Sequence, residues 1–151
     1  MALDSDVAAL VARGVAIIVA TRDDELRPEI TRGWGPQLAA DRATLTICLG
    51  LSPGSKTRAN LESNGAMAAT FSQPTTYRTV QIKGVARALS DPTPAERERV
   101  DEHLAAFLAE AAQIGVPREA AHLLEPELLA VTFDVTEVYD QTPGPRAGAP
   151  L

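Results

Sequence analysis

The sequence contains few aromatic residues, one cysteine and no run of basic residues. Aromatic residues make up 4% of the 151, and Trp34 is the sole tryptophan, so stacking on successive nucleic-acid bases is not favoured. The formal net charge of −6 repels phosphate backbones and anionic membranes. We therefore expect neither a nucleic acid nor a membrane as partner.

A signal peptide and a disulfide are also not expected. Asp4 and Asp6 stand where a signal peptide carries basic residues. The longest apolar run nearby, from Val15 to Ala20, is far shorter than the roughly 20 residues of a membrane span. Cys48 has no partner in the chain, and inside a predicted strand it is expected to be a small buried hydrophobe. These features predict a cytoplasmic protein.

Hydrophobic residues make up 45% of the chain, which suits one domain with one core. A short helix after Asp4 is followed by six predicted strands, at about 15–21, 29–34, 43–49, 66–72, 77–89 and 128–139. Short helices are expected near 55–61 and 118–124, and a long one from a Thr93 cap to about Gln113. Hairpins with inserted helices predict an α+β domain over 1–140, with an antiparallel sheet closed into a barrel. A Pro/Gly-rich tail without regular structure follows at 141–151.

The segment Gly50-Leu-Ser-Pro-Gly-Ser-Lys-Thr57 follows a strand and opens a helix. A helix N-terminus offers free N–H groups to an anion, and Lys56 would add a full charge. The segment is not a P-loop, because Ser55 stands where that motif needs glycine and only three residues, rather than four, lie between its two glycines. The alternative is that Ser55 only caps a surface helix and Lys56 is solvated.

Two further features allow a ligand. Arg32-Gly-Trp-Gly35 places glycines on both sides of the tryptophan, which marks either a bulge with Trp34 in the core or a close approach of a ligand to the backbone. Thr79, Gln81 and Lys83 share one face of the fifth strand, and simple solvent exposure is the alternative there.

The order of these segments resembles the pyridoxamine 5′-phosphate oxidase-like family of flavin-binding split barrels. The matching segments are Arg32-Gly-Trp-Gly, Ser55-Lys56, Asn64-Gly-Ala-Met-Ala-Ala-Thr-Phe71, Arg78-Thr-Val-Gln-Ile-Lys-Gly-Val-Ala86 and Val138-Tyr-Asp-Gln-Thr-Pro-Gly-Pro145. The resemblance implies a six-stranded antiparallel split β-barrel with flanking helices, and a homodimer with FMN at the interface.

The resemblance also implies the residues that contact FMN. Arg32, Ser55 and Lys56 correspond to phosphate-binding positions. The flavin ring would lie near the backbone of Gly33 and Trp34, and Thr79 and Gln81 would reach it from the fifth strand. The oxidases of the family carry Ser-Arg-Lys at Gly54-Ser-Lys56 and Arg-Gln-Val-Arg at Arg78-Thr-Val-Gln81, and their C-terminal substrate-gripping segment is not recognisable in this chain. We therefore do not expect pyridoxamine phosphate oxidation.

No side-chain catalytic set is visible in the sequence, and catalytic residues stay unassigned. His103 and His122 lie on separate predicted helices, which disfavours a metal site, and His103 is expected to be solvated. If flavin supplies the chemistry, the expected activity is reduction of a small acceptor by a nicotinamide donor through FMN.

Three alternatives stay open at this stage. The barrel could be a carrier that holds FMN, a deazaflavin or haem without turnover. The chain could bind a nucleotide, with Lys56 on the phosphates and Asp134 as a metal-holding acid. It could also be a purely structural dimer.

Overall fold

A computed structural model of the chain describes residues 1–117 and 124–151. Three helices and six strands follow one another in the order α1 (Ser5–Val11), β1 (Ala16–Arg22), β2 (Pro28–Leu38), β3 (Thr44–Leu51), α2 (Thr57–Asn64), β4 (Ala66–Ser72), β5 (Thr79–Ser90), α3 (Pro94–Ala112) and β6 (Glu127–Asp140). The helix predicted near 118–124, and His122 with it, falls outside the described residues except for Leu124.

The six strands close into a barrel in the order β1-β2-β3-β6-β5-β4. Every neighbouring pair is antiparallel, and the predicted α+β barrel with flanking helices is confirmed. Side chains alternate between the two faces of each strand, so every second residue points into the barrel. Phe71 and Phe133 are the largest side chains that are fully buried there. Aliphatic side chains such as Ile17, Ile47 and Ile82 fill the remaining space.

α3 covers the barrel from outside. Its start has the predicted capping box, in which Thr93 and Glu96 bond each other's main-chain N–H. Its inner side packs on a second apolar cluster, to which the strands contribute Trp34, Cys48, Leu128 and Ala130. Cys48 is 1% exposed, as predicted, and burial raises the pKa of its thiol to about 11.

β2 is longer than the sequence predicts. The glycines beside Trp34 suggested that the strand ends there, but it continues to Leu38 across a register shift between Trp34 and Gln37. Gly35 has a φ of 57°, and a Cβ there would lie 2.9 Å from the main-chain nitrogen of Val100. The glycine is therefore needed so that α3 can approach the sheet closely.

His103 is not solvated, contrary to the expectation from sequence. Its side chain is 8% exposed and packs edge-on against Trp34, with the ring centroids 5.8 Å apart. Val100 and Phe107 lie three residues before and four residues after it and are also buried, so His103 belongs to the inner stripe of α3. Among the residues that the structure describes, neither ring nitrogen has a hydrogen-bond partner. Burial lowers the pKa of His103 to about 4, although the nearby Val15 main chain acts weakly in the opposite direction.

The tail at 141–151 contains no helix or regular strand, as predicted. It folds back on β6 through a single bridge between Tyr139 and Pro150 and a 2.9 Å bond from the Leu151 N–H to the Val138 carbonyl. Among residues 1–117 and 124–151, no helix combines the length and the apolar character of a membrane span.

The buried imidazole predicts a pH dependence of stability. Between pH 6.5 and about 4 His103 binds a proton in the unfolded chain but stays neutral in the folded protein. The free energy of unfolding should therefore fall as the pH drops through this window, by up to about 3 kcal/mol. The measurement is urea unfolding at several pH values for the wild type and for His103→Leu. Parallel curves for the two proteins would contradict the assignment.

Candidate functional site

The barrel interior is filled by side chains, and α3 covers the outer side of β3, of the start of β6 and of β2 at Trp34. The outer side of the first half of β2 and of β1, β4 and β5, next to one another in the ring, carries outward side chains that are mostly half-buried or exposed. We call this surface the open face. It includes a groove that is larger than the cavity lined by Gly14, Gly35 and His103.

One row of side chains crosses the open face from β2 to β6. Arg32 pairs with Ile18, Ile18 with Thr70, Thr70 with Gln81, and Gln81 with Tyr139. Neighbouring strands lie about 4.8 Å apart, so Arg32 and Gln81 are separated by roughly 14 Å across three strand spacings. The Gln81 amide nitrogen bonds the Thr70 hydroxyl at 3.3 Å. The row therefore carries a cation at one end and amide and hydroxyl groups toward the other.

The next row forms a flat floor. It runs from Ile30 through Ala20 and Ala68 to Lys83. Because alanine side chains are small, the sheet surface is accessible between the larger groups on either side. A groove of about 360 Å³ lies here, lined by Ala20, Thr21, Arg22, Leu26, Pro28, Ala66, Met67, Ala68 and Lys83. An apolar floor with a few polar groups at its edge is typical of small-molecule sites, and a flat floor suits a planar ring.

Lys83 closes one side of the groove. Its ammonium lies 4.7 Å from the centre of the Tyr139 ring, a cation–π arrangement that holds the charge near the sheet. The Tyr139 hydroxyl donates a hydrogen bond to Glu137, and this contact raises the pKa of the phenol. At neutral pH the phenol is therefore protonated, and Lys83 provides the positive charge on this side.

The start of α2 is already occupied by a carboxylate of the protein itself. One oxygen of Glu29, on β2, accepts a hydrogen bond from the Ser55 hydroxyl and another from the Lys56 N–H, both at 2.7 Å. These are the groups that the resemblance assigns to phosphate. The Lys56 and Arg32 side chains take part in none of the ion pairs found in the described part of the chain.

α2 itself closes one end of the barrel. The buried Asn60 side chain donates to the Thr21 hydroxyl at 3.1 Å, and Leu61 packs into the core. The Thr57 hydroxyl is fully buried without a hydrogen-bond partner. The helix therefore has a fixed position relative to β1 and β2.

The structure separates the predicted site residues into three groups. Arg32, Thr79 and Gln81 lie on the open face, where the Thr79 hydroxyl bonds that of Ser72 at 2.8 Å. Ser55 and Lys56 lie at the barrel end beside Glu29. Gly33 and Trp34 form the third group, because the Gly33 position faces the barrel core and the Trp34 side chain lies beneath α3.

Gly33 and Trp34 could meet a ring only through their main chain. A Cβ on Gly33 would lie 2.8 Å from Ile47 and 2.9 Å from Ile17, which shows that this position faces the barrel core. The Trp34 indole is 2% exposed and lies beneath α3. The pairing of β1 with β2 ends at Ile18 and Arg32, so the main chain at Gly33 and Trp34 pairs with β3.

The sequence interpretation missed the alanine floor and Glu29. The floor has a signal in the sequence, since small residues recur at every second position in Ala66-Met-Ala68 and at Ala20. Without the register between β1 and β4, these positions could not be assigned to one surface. Glu29 has no such signal, because its contacts lie 26 and 27 residues away in the chain.

The nucleotide alternative is not supported by the geometry. Asp134 pairs with Thr44 at the start of β3, whereas the Lys56 loop follows the end of that strand. Eight strand residues put the two groups roughly 20 Å apart. Asp134 is also ion-paired with Arg87 at 2.9 Å. Within the described ranges, no three His, Cys, Asp or Glu side chains are grouped as metal ligands.

No known protein-family profile matches the chain, and no curated protein sequence matches it. Solved structures do resemble it. An F420 reductase is 17% identical, with a TM-score of 0.59 over 86% of this chain and 93% of that one. A putative pyridoxamine 5′-phosphate oxidase from Lactobacillus delbrueckii is 13% identical, with a TM-score of 0.56 over 91% and 93%.

A pyridoxamine 5′-phosphate oxidase-related, FMN-binding protein from Nostoc punctiforme is 15% identical, with a TM-score of 0.52 over 95% of this chain and 87% of that one. Because these sequence identities are low, the similarity shows a shared fold and nothing more specific. The expected architecture is thereby confirmed: the chain has the split-barrel fold of structures described as pyridoxamine 5′-phosphate oxidase-like and FMN-binding.

Proposed function

We propose that the protein binds a flavin on the open face and uses it to reduce a small acceptor with electrons from a nicotinamide donor. The observation that carries this proposal is the alanine floor, which lies between Ile30 and Lys83 and next to the row that contains Arg32 and Gln81. It is supported by the fold shared with an F420 reductase and with an FMN-binding protein. The cofactor is proposed to be FMN, as the sequence resemblance implies.

Each group of the open face has a role in this proposal. The ring would lie on Ala20 and Ala68, and this contact would remove apolar area of the ring and of the two alanines from water. The amide of Gln81 and the hydroxyl of Thr70 are hydrogen-bonding partners for the polar edge of the ring. Lys83 supplies a positive charge, which stabilises negative charge on a reduced ring. Arg32 and Lys56 attract the phosphate from the β2 side.

A bound flavin would supply the redox chemistry, the net transfer of a hydride (two electrons and a proton) from the nicotinamide donor to the acceptor, with any second proton coming from solvent. The protein contributes binding, orientation and electrostatics. The departures at Gly54-Ser-Lys56 and Arg78-Thr-Val-Gln81 argue against oxidation of pyridoxamine phosphate as the reaction.

We further propose a homodimer in which a second copy covers the open face. Leu26 and Ile30 are each 69% exposed and Val85 is 49% exposed, and all three lie at or beside the groove. Exposed apolar side chains that lie close together often mark a protein–protein interface, because their removal from water is favourable. The groove is open on its outer side, so a second chain would complete the enclosure of a ring.

A deazaflavin is a second candidate cofactor, since the likeness to an F420 reductase favours it. Carriage of a cofactor without turnover is distinguished from catalysis by one assay. Loss of flavin absorbance on addition of NADH or NADPH without oxygen supports the reductase. A bound flavin that stays oxidised supports the carrier.

The alanine floor predicts the effect of a bulky substitution. Ala68→Leu places a branched side chain where the ring would lie, and the dissociation constant of FMN should rise at least about tenfold, as expected for loss of a few close contacts. Quenching of flavin fluorescence measures it. Ala88→Leu, on an exposed part of β5, is the matched control. Equal binding by both variants would refute the open face as the site.

The proposed dimer predicts a mass near twice the 16.0 kDa of one chain in light scattering after gel filtration. Ile30→Asp would bury an unpaired carboxylate in that interface, at a cost of several kcal/mol, so the variant should elute as a monomer. Leu151→Asp, which introduces the same charge at an exposed residue of the tail, is the control. A wild-type monomer would rule out the shared cleft.

A further inference from the structure

Glu29 and the proposed phosphate compete for the same two donors. The Ser55 hydroxyl and the Lys56 N–H both bond one carboxylate oxygen of Glu29, each at 2.7 Å. Charge-assisted bonds of this length are among the stronger hydrogen bonds of a protein. A phosphate that used these donors would have to displace the carboxylate or lie against it.

The carboxylate is held in place by the fold. Glu29 lies on β2 opposite Thr21 of β1, and the hydroxyl of the neighbouring Thr31 donates to the Gly50 carbonyl. β2 is thus tied to the loop that leads into α2. The side chain at the N-cap of α2, Lys56, makes no capping hydrogen bond. The Ser55 hydroxyl instead accepts from the Thr57 N–H at 3.2 Å, and Glu29 holds the Lys56 N–H just before the helix, a place where negative charge is favoured.

The neighbouring cations do not neutralise this carboxylate through ion pairs. Among the described residues, neither Lys56 nor Arg32 is ion-paired with it. Its negative charge therefore acts on any second anion that approaches the start of α2. At the effective dielectric constant of a protein surface, two like charges a few ångström apart still repel each other.

We propose that Glu29 is a specificity-determining residue that disfavours a ligand phosphate at the start of α2, so that the protein distinguishes FMN only weakly from riboflavin. This inference rests on the proposed flavin site. It adds that the ring, and not the phosphate, supplies most of the affinity. Removal of the charge at Glu29 ends the repulsion, and a phosphate near Arg32 and Lys56 then competes only with a neutral acceptor for the Ser55 hydroxyl and the Lys56 N–H.

Flavin titrations of the wild type, Glu29→Gln and Glu62→Gln test the inference. Glu62 is an exposed acid on α2, and its substitution removes the same charge without touching the site. We expect the wild type and Glu62→Gln to bind FMN and riboflavin within about threefold of each other. Glu29→Gln should bind FMN about tenfold more tightly, as expected for loss of one close like charge, with riboflavin unchanged. An unchanged FMN-to-riboflavin ratio in Glu29→Gln would overturn the inference.

Inorganic phosphate keeps the test separate from flavin binding. In amide NMR spectra, phosphate should shift the Lys56 and Thr57 signals of Glu29→Gln saturably, and at lower concentration than in the wild type. Equal shifts in both proteins would overturn the inference even if both bind flavin. If neither protein binds flavin, the proposed function fails, and the phosphate titration still decides the role of Glu29. Glu29→Gln retains an oxygen acceptor for both donors, and thermal melting verifies that it folds.

Discussion

Closure of the barrel is the constraint on which the site depends. Six strands with inward aliphatic and aromatic side chains leave no room for a ligand inside, as is usual for small barrels. The barrel interior therefore offers no ligand site, and the groove of about 360 Å³ lies outside it, on strand surfaces that no helix covers. Because α3 packs over β2, β3 and β6, the remaining surface is limited to the side where β1 and β4 are central.

β2 divides its residues among four environments. Ile30 and Arg32 face the open side, Gly33 faces the core, and Trp34 lies beneath α3. Glu29, at the end of the barrel, bonds the start of α2. One strand thus contacts the core, α2, α3 and the proposed ligand surface. The register shift after Trp34 allows these roles to coexist, since bulges redirect a strand and increase its twist.

Local features were predictable from sequence, and long-range ones were not. Alternation located β4 at its observed bounds, Ala66 to Ser72, and the Thr93 capping box has the predicted form. His103 was misassigned because histidine is polar, although its spacing from Val100 and Phe107 follows the buried stripe of α3. The site depends on strand register: Arg32 and Gln81 share one cross-strand row only because β1 and β4 lie between them. No period within a single segment contains that information.

The position of the one tryptophan makes it a local reporter. Trp34 makes edge-to-face contacts with His103 and Phe107 of α3, at ring-centroid distances of 5.8 and 6.0 Å. Its indole nitrogen is buried and has no hydrogen-bond partner among the described residues. Its emission therefore reports whether α3 is seated on the sheet, because hydration of the indole requires the helix to lift. Far-ultraviolet circular dichroism reports the strands as well. Non-coincident transitions of the two signals would reveal that the helix detaches before the barrel opens.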